Sequence, residues 1–255
     1  MSDIMDYPLL VFVLSFIVLS LSARIGVFIV ERRRKLDEDI REDLGVVLTA
    51  SLTLLGLIIG FSFSMAVNRY DQRKNYEEAE ANAIGTEYAR ADLLPAADAA
   101  KVRTLLRDYT AQRILFYTTR YTEQVKQIDA RTARLQTELW SAVAIPAVAR
   151  PEPVIALAVS GMNDVLNSQG YTQAAWWNRI PTAAWGLMAA IAVCCNLLCG
   201  YGTRNFKAEG ALRLIFPFIV SIAFFLIADI DSPRGGVIRV HPQNLSSLAE
   251  SLRAP

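Results

Sequence analysis

The side chains most often used for metal binding and acid–base catalysis are few and poorly spaced in this sequence. The one histidine, His241, precedes a proline and has no metal-ligating partner at regular spacing, which is more typical of a loop residue than of a general base. Cys195 and Cys199 share a helix face, but two thiols without a nearby histidine or carboxylate make a poor metal site. No nucleophile elbow, phosphate loop or HExxH motif occurs. We therefore predict neither an enzyme nor a bound cofactor.

Two parallel rows of residues near position 60 have a spacing suited to contacts inside a membrane. Small residues recur at every fourth position in one row: Gly56, Gly60 and Ser64. Larger, mainly apolar residues form the other row: Thr53, Leu57, Phe61 and Met65. The small row is the ridge that lets two helices approach closely, which leaves the second row free to face something else. Ordinary intramembrane packing of both rows is the alternative.

The elements that carry these rows follow from the uneven distribution of charge. Of the 255 residues 53% are apolar and 20% charged, and four segments are almost free of charge: 9–30, 44–67, 182–203 and 211–229. Each is close to the roughly 20 residues that cross a hydrocarbon core. We predict four transmembrane helices in a multi-pass membrane protein. A signal peptide is the alternative for the first segment, disfavoured because its basic residues follow the apolar run.

Between the second and third spans the sequence predicts a helical domain outside the membrane. Residues 68–180 are polar and rich in good helix formers, and proline punctuates them. Pro95 is expected to end the first helix, and Pro146, with two further prolines, the second. The first helix should continue the second span without a break, because neither proline nor a late glycine separates them. The predicted organisation is all-α, listed by segment as 1–67 (first membrane pair), 68–180 (helical domain), 181–229 (second membrane pair) and 230–255 (C-terminal tail).

Several motifs resemble those of one known family. Gly60-Phe61, followed eight positions later by Arg69-Tyr70, resembles the second transmembrane helix of the bestrophins, and the segment Asp231-Ser232-Pro233-Arg234-Gly235 resembles the one that follows their last span. Over nearly its full length the chain is most similar to the bacterial bestrophin-like family, in which the segment written here as EANAIGTEYARADLLP, residues 80–95, recurs.

The resemblance implies a bestrophin-like fold and a pentameric anion channel whose second helix lines the pore. Its hydrophobic neck would then be formed by Thr53, Leu57 and Phe61. Arg69 would raise the anion concentration at the pore mouth, with an ion pair to Asp71, Glu77 or a neighbouring subunit as the alternative. The post-span motif is carried by Asp231, Pro233 and Gly235. Only Asp229 and Asp231 follow the last span, too few oxygen ligands for calcium, so calcium gating is not predicted.

Three classes of function remain open from the sequence. An oligomeric anion channel is favoured over a non-conducting scaffold or sensor that uses the long second helix to couple the bilayer to the helical domain, and over a transporter or enzyme. Net charge is +1 with no basic stripe, which excludes nucleic acid as a partner. The expected partners are the lipid bilayer, further copies of the chain and small inorganic anions. We expect the bacterial cytoplasmic (inner) membrane; the positive-inside rule and the family resemblance place the helical domain on opposite sides of it.

Overall fold

The computed structural model describes residues 4–32, 38–202 and 212–253, and in these ranges all regular structure is helical. The α-helices are α1 (Pro8–Arg32), α2 (Glu38–Arg90), α3 (Ala96–Thr118), α4 (Thr122–Ala149), α5 (Pro153–Trp177), α6 (Thr182–Tyr201), α7 (Leu212–Asp231) and α8 (Gln243–Ser251). Two 3₁₀ turns, Ile4–Asp6 and Ala91–Leu93, complete them. The predicted all-α class is confirmed.

The predicted number of membrane helices is also confirmed. Within the described ranges, four helical stretches are long and apolar enough to cross a membrane: Pro8–Ile29, Asp43–Leu93, Pro153–Tyr201 and Leu214–Asp231. Residues 203 and 211, where two of the predicted spans end and begin, lie outside the described residues. So do most of the basic loop residues on which the orientation argument depends, in 33–37 and 203–211.

The chain divides into two compact units, and the first is the membrane unit, Met1–Arg69 with Arg179–Arg239. In this unit α1 packs on both α6 and α7. The crossing of α1 and α6 is tight: a Cβ atom on Gly26 would collide with the Leu197 carbonyl and one on Gly200 with the Ala23 carbonyl. Glycine at both positions removes the side chains that would hold the two backbones apart.

The second is the helical unit, Tyr70–Asn178 with Val240–Pro255. Here α3 packs on α4, α4 on α5 and α8 on α3. Its core is a single cluster of buried apolar side chains, among them Ile84, Leu106, Phe116, Leu139, Met162 and Leu245. Burial of these side chains supplies the main stabilisation of the unit.

One predicted helix of this unit proves to be two. The chain leaves helical geometry at Thr119, whose backbone is extended, and re-enters it at Thr122, whereas the sequence predicted one helix up to the proline group. The break lies in a stretch of β-branched threonines, which are weak helix formers, and the reversal lets α3 and α4 pack on each other. Pro146 lies inside α4 rather than at its end.

The helix that carries the predicted site is uninterrupted. α2 has 53 residues, about 80 Å at 1.5 Å per residue, and contributes to both units. Gly85, the only glycine beyond the apolar part, does not break it. A 3₁₀ turn then leads to Pro95, which precedes the first residue of α3. The expected continuation of the second span into a long helix is confirmed.

Candidate functional site

In the membrane unit, α2 has one buried and one exposed face. Leu55, Ser62 and Ala66 are buried on one side, and their spacing of seven and four places them on a single face. The predicted neck row lies on the opposite side: Leu57 is 53% exposed and Phe61 62% exposed, and Thr53 is exposed as well. The Thr53 hydroxyl donates a hydrogen bond to the Thr49 carbonyl oxygen at 2.9 Å. The hydroxyl group is therefore paired within its own helix.

The predicted packing ridge shares this outward side of α2. Gly56, Gly60 and Ser64 are exposed, and a Cβ atom on either glycine would meet nothing within 4 Å beyond its own helical turn. The close glycine crossing within the chain is instead that of Gly26 and Gly200, which sequence reasoning missed. The sequence of α1 did carry a signal for close helix packing, because Ser22 and Gly26 are small residues four positions apart. In the structure both are buried.

Arg69, predicted at the pore mouth, forms an ion pair inside its own unit. Its Nη1 atom lies 3.6 Å from Oδ1 of Asp231, and its side chain is 16% exposed. The partner is therefore neither Asp71 nor Glu77, the two candidates on its own helix. Glu77 instead accepts hydrogen bonds from the Asn244 side chain at 2.7 Å and from the Leu245 amide at 2.9 Å.

Asp231 is the centre of a small charged cluster. The side chain is 1% exposed, and its carboxylate accepts from Arg179 Nε at 3.1 Å and from the Ile180 amide at 3.2 and 3.3 Å. Arg179 Nη1 also donates to Asp6 at 2.6 Å. The cluster joins the chain before α1, the interior of α2 at Arg69, the end of α7 and the segment before α6. Asp6 and Arg179 were not predicted, because no sequence spacing links residues so far apart in the chain.

The loop after α7 explains why glycine stands at Gly235 of the post-span motif and at the next position, Gly236. A Cβ atom on Gly235 would collide with the Asp6 carbonyl, and one on Gly236 with the Asp229 carbonyl. Asp229 accepts from the amides of Val237 and Ile238, both at 2.8 Å. Pro233 is half-buried in the turn. In the ranges that the structure describes, no three histidine, cysteine, aspartate or glutamate side chains are grouped so as to hold a metal ion.

The EANAIGT segment contributes buried polar groups to the helical unit. Glu80 is fully buried and forms an ion pair with Arg113, which is also fully buried. Its carboxylate accepts further hydrogen bonds from Tyr117 at 3.3 Å and Thr172 at 3.2 Å. Burial, together with the Glu80 charge, raises the pKa of Tyr117, so this phenol stays protonated as a donor.

Glu87, two helical turns further along α2, is buried without such partners. The residue is 0% exposed, and neither carboxyl oxygen has a hydrogen-bond partner among the described residues. A Cβ atom on Gly161 of α5 would collide with its Oε2 atom. Burial raises the pKa of Glu87 to about 8, with Arg90 opposing the rise and Asp164 adding to it.

Comparison with solved structures identifies the fold. A bacterial bestrophin homologue from Klebsiella pneumoniae carrying a single substitution matches with a TM-score of 0.63 and 12% identity, covering 94% of this chain and 97% of the other. A further structure of a bacterial bestrophin homologue from the same organism matches with a TM-score of 0.61 and 14% identity, covering 94% and 96%. At 12% and 14% sequence identity, the structural similarity shows that this chain and the two homologues share a fold.

Sequence comparison supplies the family. No curated protein matches the chain significantly. The family model described as the Bestrophin-like domain matches residues 14–245, which is most of the chain. Together with its four apolar helical stretches, this match shows that the chain belongs to the bestrophin-like family of membrane proteins.

Proposed function

We propose that this chain assembles into a homo-oligomeric channel of the bacterial inner membrane that conducts small inorganic anions. The pore runs along α2, with a neck formed by Thr53, Leu57 and Phe61. The observation that carries the proposal is the outward exposure of the neck residues, on the side of α2 opposite to the face buried in its own chain. The pentamer expected from the family resemblance is the assembly we propose.

The composition of the exposed face of α2 supports a pore or subunit contact over a contact with lipid. The exposed positions along the first half of α1 are dominated by large aliphatic side chains: Leu9, Leu10, Val13, Leu14, Ile17 and Val18. The exposed face of α2 also carries large apolar side chains, among them Leu54, Leu57 and Phe61, but it intersperses them with small and hydroxyl residues: Thr53, Gly56, Gly60 and Ser64. Small and hydroxyl residues are typical of helix–helix and water-facing surfaces in membranes, so this face is suited to neighbouring subunits and a pore.

The neck selects ions through hydration. An apolar constriction loses its water when narrow and, when wider, passes ions whose hydration shell is easily loosened. Ring edges of Phe61 carry the positive end of the aromatic quadrupole, which favours anions. Arg69 contributes less than a free guanidinium would, because Asp231 lies 3.6 Å away and offsets its charge.

The test is chloride and bromide flux from liposomes that contain the purified oligomer. We expect flux from the wild type and an increase of several-fold in the Leu57→Ala/Phe61→Ala variant, because truncation widens the neck. A matched control is Leu9→Ala/Ile17→Ala on α1, which removes exposed apolar side chains outside the proposed pore and should leave flux unchanged. Equal flux from wild type and neck variant would place the pore elsewhere.

The non-conducting scaffold is the alternative, and it requires Leu57 and Phe61 to pack against other helices of their own chain. Their exposure disfavours it. Absence of flux from an oligomer shown to be intact by native mass spectrometry would nevertheless reject the channel and leave the scaffold.

A further inference from the structure

The parallel helices α1 and α6 pack tightly near their carboxyl ends and leave a groove near their amino ends. The tight end is the crossing at Gly26 and Gly200. The groove, which we call the α1–α6 groove, has a volume of about 330 Å³, and all the residues that line it belong to the membrane unit. Both helices contribute to its walls, among others with Val11, Leu14, Thr182, Gly186, Ala189 and Val193.

Small residues on α6 keep the α1–α6 groove open. Thr182, Gly186, Ala189 and Val193 follow one another at steps of four, three and four, so they share one face of the helix. Gly186 is exposed, and a Cβ atom there would meet nothing within 4 Å beyond its own helical turn. At Gly200 a small residue lets the backbones of α1 and α6 touch, whereas at Gly186 the same lack of a side chain leaves space between them.

The length of the α1–α6 groove matches one leaflet of a bilayer. From Thr182 to Val193 its α6 wall rises about 17 Å at 1.5 Å per residue, and half of a hydrocarbon core is about 15 Å. The amino-terminal end of this wall lies near Arg179, which pairs with Asp6 and Asp231 just before α1 and α6. Charged side chains are costly in hydrocarbon, so this end lies at the polar boundary and the groove runs from there towards the midplane.

A buried hydrogen-bond donor without an acceptor lies at the polar end of the groove. Trp185, one turn into α6, lines the groove and is 5% exposed. Its Nε1 atom has no hydrogen-bond partner among the described residues. Its ring is held edge-to-face against Phe224, another lining residue, with ring centroids 6.2 Å apart. An N–H group without an acceptor is costly inside a membrane, so the site favours a ligand with an acceptor at this depth.

We propose that the α1–α6 groove binds one acyl chain of a bilayer phospholipid, and that a glycerol ester carbonyl oxygen of this lipid accepts a hydrogen bond from Trp185 Nε1. Ester carbonyls lie between the headgroups and the acyl chains, the interfacial depth at which tryptophan is enriched in membrane proteins. The two arginines and two aspartates of the nearby charged cluster cancel in charge. Affinity therefore follows the acyl chain rather than the charge of the headgroup.

The first test is native mass spectrometry of the purified protein, stripped of lipid in detergent and titrated with palmitoyl-oleoyl phosphatidylethanolamine. We expect the wild type to bind one lipid per chain and Gly186→Leu to bind it at least about fivefold more weakly, because the leucine side chain fills the groove. The matched control is Ala190→Leu, which adds the same side chain at an exposed position of α6 outside the groove and should bind as the wild type does. Equal binding by all three proteins would overturn the groove as the site.

The second test concerns the hydrogen bond and compares this ester lipid with its dialkyl ether analogue, which lacks the carbonyl oxygens but keeps the chains. We expect the wild type to bind the ester lipid roughly two- to tenfold more tightly than the ether lipid. Trp185→Phe keeps an aromatic ring but loses the N–H donor, so it should bind both lipids equally. A preference for ester that survives in Trp185→Phe, or that is missing in the wild type, would overturn the role of Trp185 as the donor.

Other occupants of the groove give different results. If a helix of a neighbouring copy filled it, the wild type would bind no lipid and Gly186→Leu would lower the subunit number. If a free fatty acid were the ligand, palmitic acid would bind as tightly as the phospholipid. Either result would reject the phospholipid site. Anion flux does not enter these measurements, so a wild type that binds the lipid but conducts no anions would reject the channel and leave the lipid site standing.

Discussion

Asp231 stabilises the membrane unit through the hydrogen bonds and ion pairs of its buried side chain. Its buried carboxylate binds Arg179 and the Ile180 amide and lies near Arg69. Removing one member of a buried charged cluster leaves the others without compensation.

We therefore expect Asp231→Asn to lower the free energy of unfolding by about 3 kcal/mol, measured by thermal or denaturant unfolding in detergent. Asp92→Asn is the matched control, because it breaks the ion pair between Asp92 and Arg103 in which Asp92 is 68% exposed; exposed pairs contribute about 0–1 kcal/mol. Equal losses in the two variants would contradict the central role of Asp231.

Glu87 makes the stability of the fold decrease as the pH rises. Burial raises the pKa of Glu87 in the folded state to about 8, above the ordinary glutamate value of about 4.5, so between these values the folded chain holds a proton that the unfolded chain has released. Stability from this group is fully present below about pH 4.5, falls as pH rises to about 8, and then stays constant.

We expect Glu87→Gln, which cannot ionise, to match the wild type near pH 5 and to exceed its stability at pH 8. The difference should grow by at most about 1.4 kcal/mol per pH unit. Unfolding midpoints across this pH range are the measurement, and Glu138→Gln, an exposed glutamate on α4, is the control. Parallel pH profiles for wild type and Glu87→Gln would show that Glu87 ionises normally.

At the scale of elements, the crossing of α1 and α6 depends on two glycines. Gly200→Ala introduces a methyl group against the Ala23 carbonyl, and overpacking of this kind costs about 1–3 kcal/mol. The methyl group of Gly186→Ala on the same helix would meet nothing within 4 Å beyond its own helical turn, so this variant should be neutral or slightly stabilising, because Ala is the better helix former. The two variants are compared by thermal unfolding in detergent. If Gly200→Ala is as stable as Gly186→Ala, α1 and α6 can move apart at that position without loss of stability.

At the scale of the whole molecule, the outward face of α2 matters only if copies of the chain assemble. A Cβ atom on Gly60 would meet nothing within 4 Å beyond its own helical turn, so Gly60→Leu should leave the fold of each chain intact and disrupt the oligomer by blocking close approach. Gly170→Leu, also at an open exposed glycine, is the control and should assemble normally. Native mass spectrometry gives the subunit number, and an unchanged oligomer in Gly60→Leu would contradict the packing role of the ridge.

Much of the fold could be read from the sequence because its signals are local. The hydrocarbon thickness sets the length of an apolar span, and the absence of proline keeps α2 unbroken, so the four membrane helices and the long second helix were predictable. The break at Thr119 was not, since β-branched residues only weaken a helix, and the packing of α3 on α4 decides where the chain turns.

The sequence by itself determined the membrane character, the helical class and the two rows of α2 on which the proposed pore depends. Only the tertiary structure decided which side of α2 is buried, that Arg69 pairs with Asp231, and that Gly26 and Gly200 form the close crossing. The physical reason is that periodicity fixes which residues share a face, whereas ion pairs and backbone contacts join residues far apart in the chain. Their proximity arises only once the helices have packed.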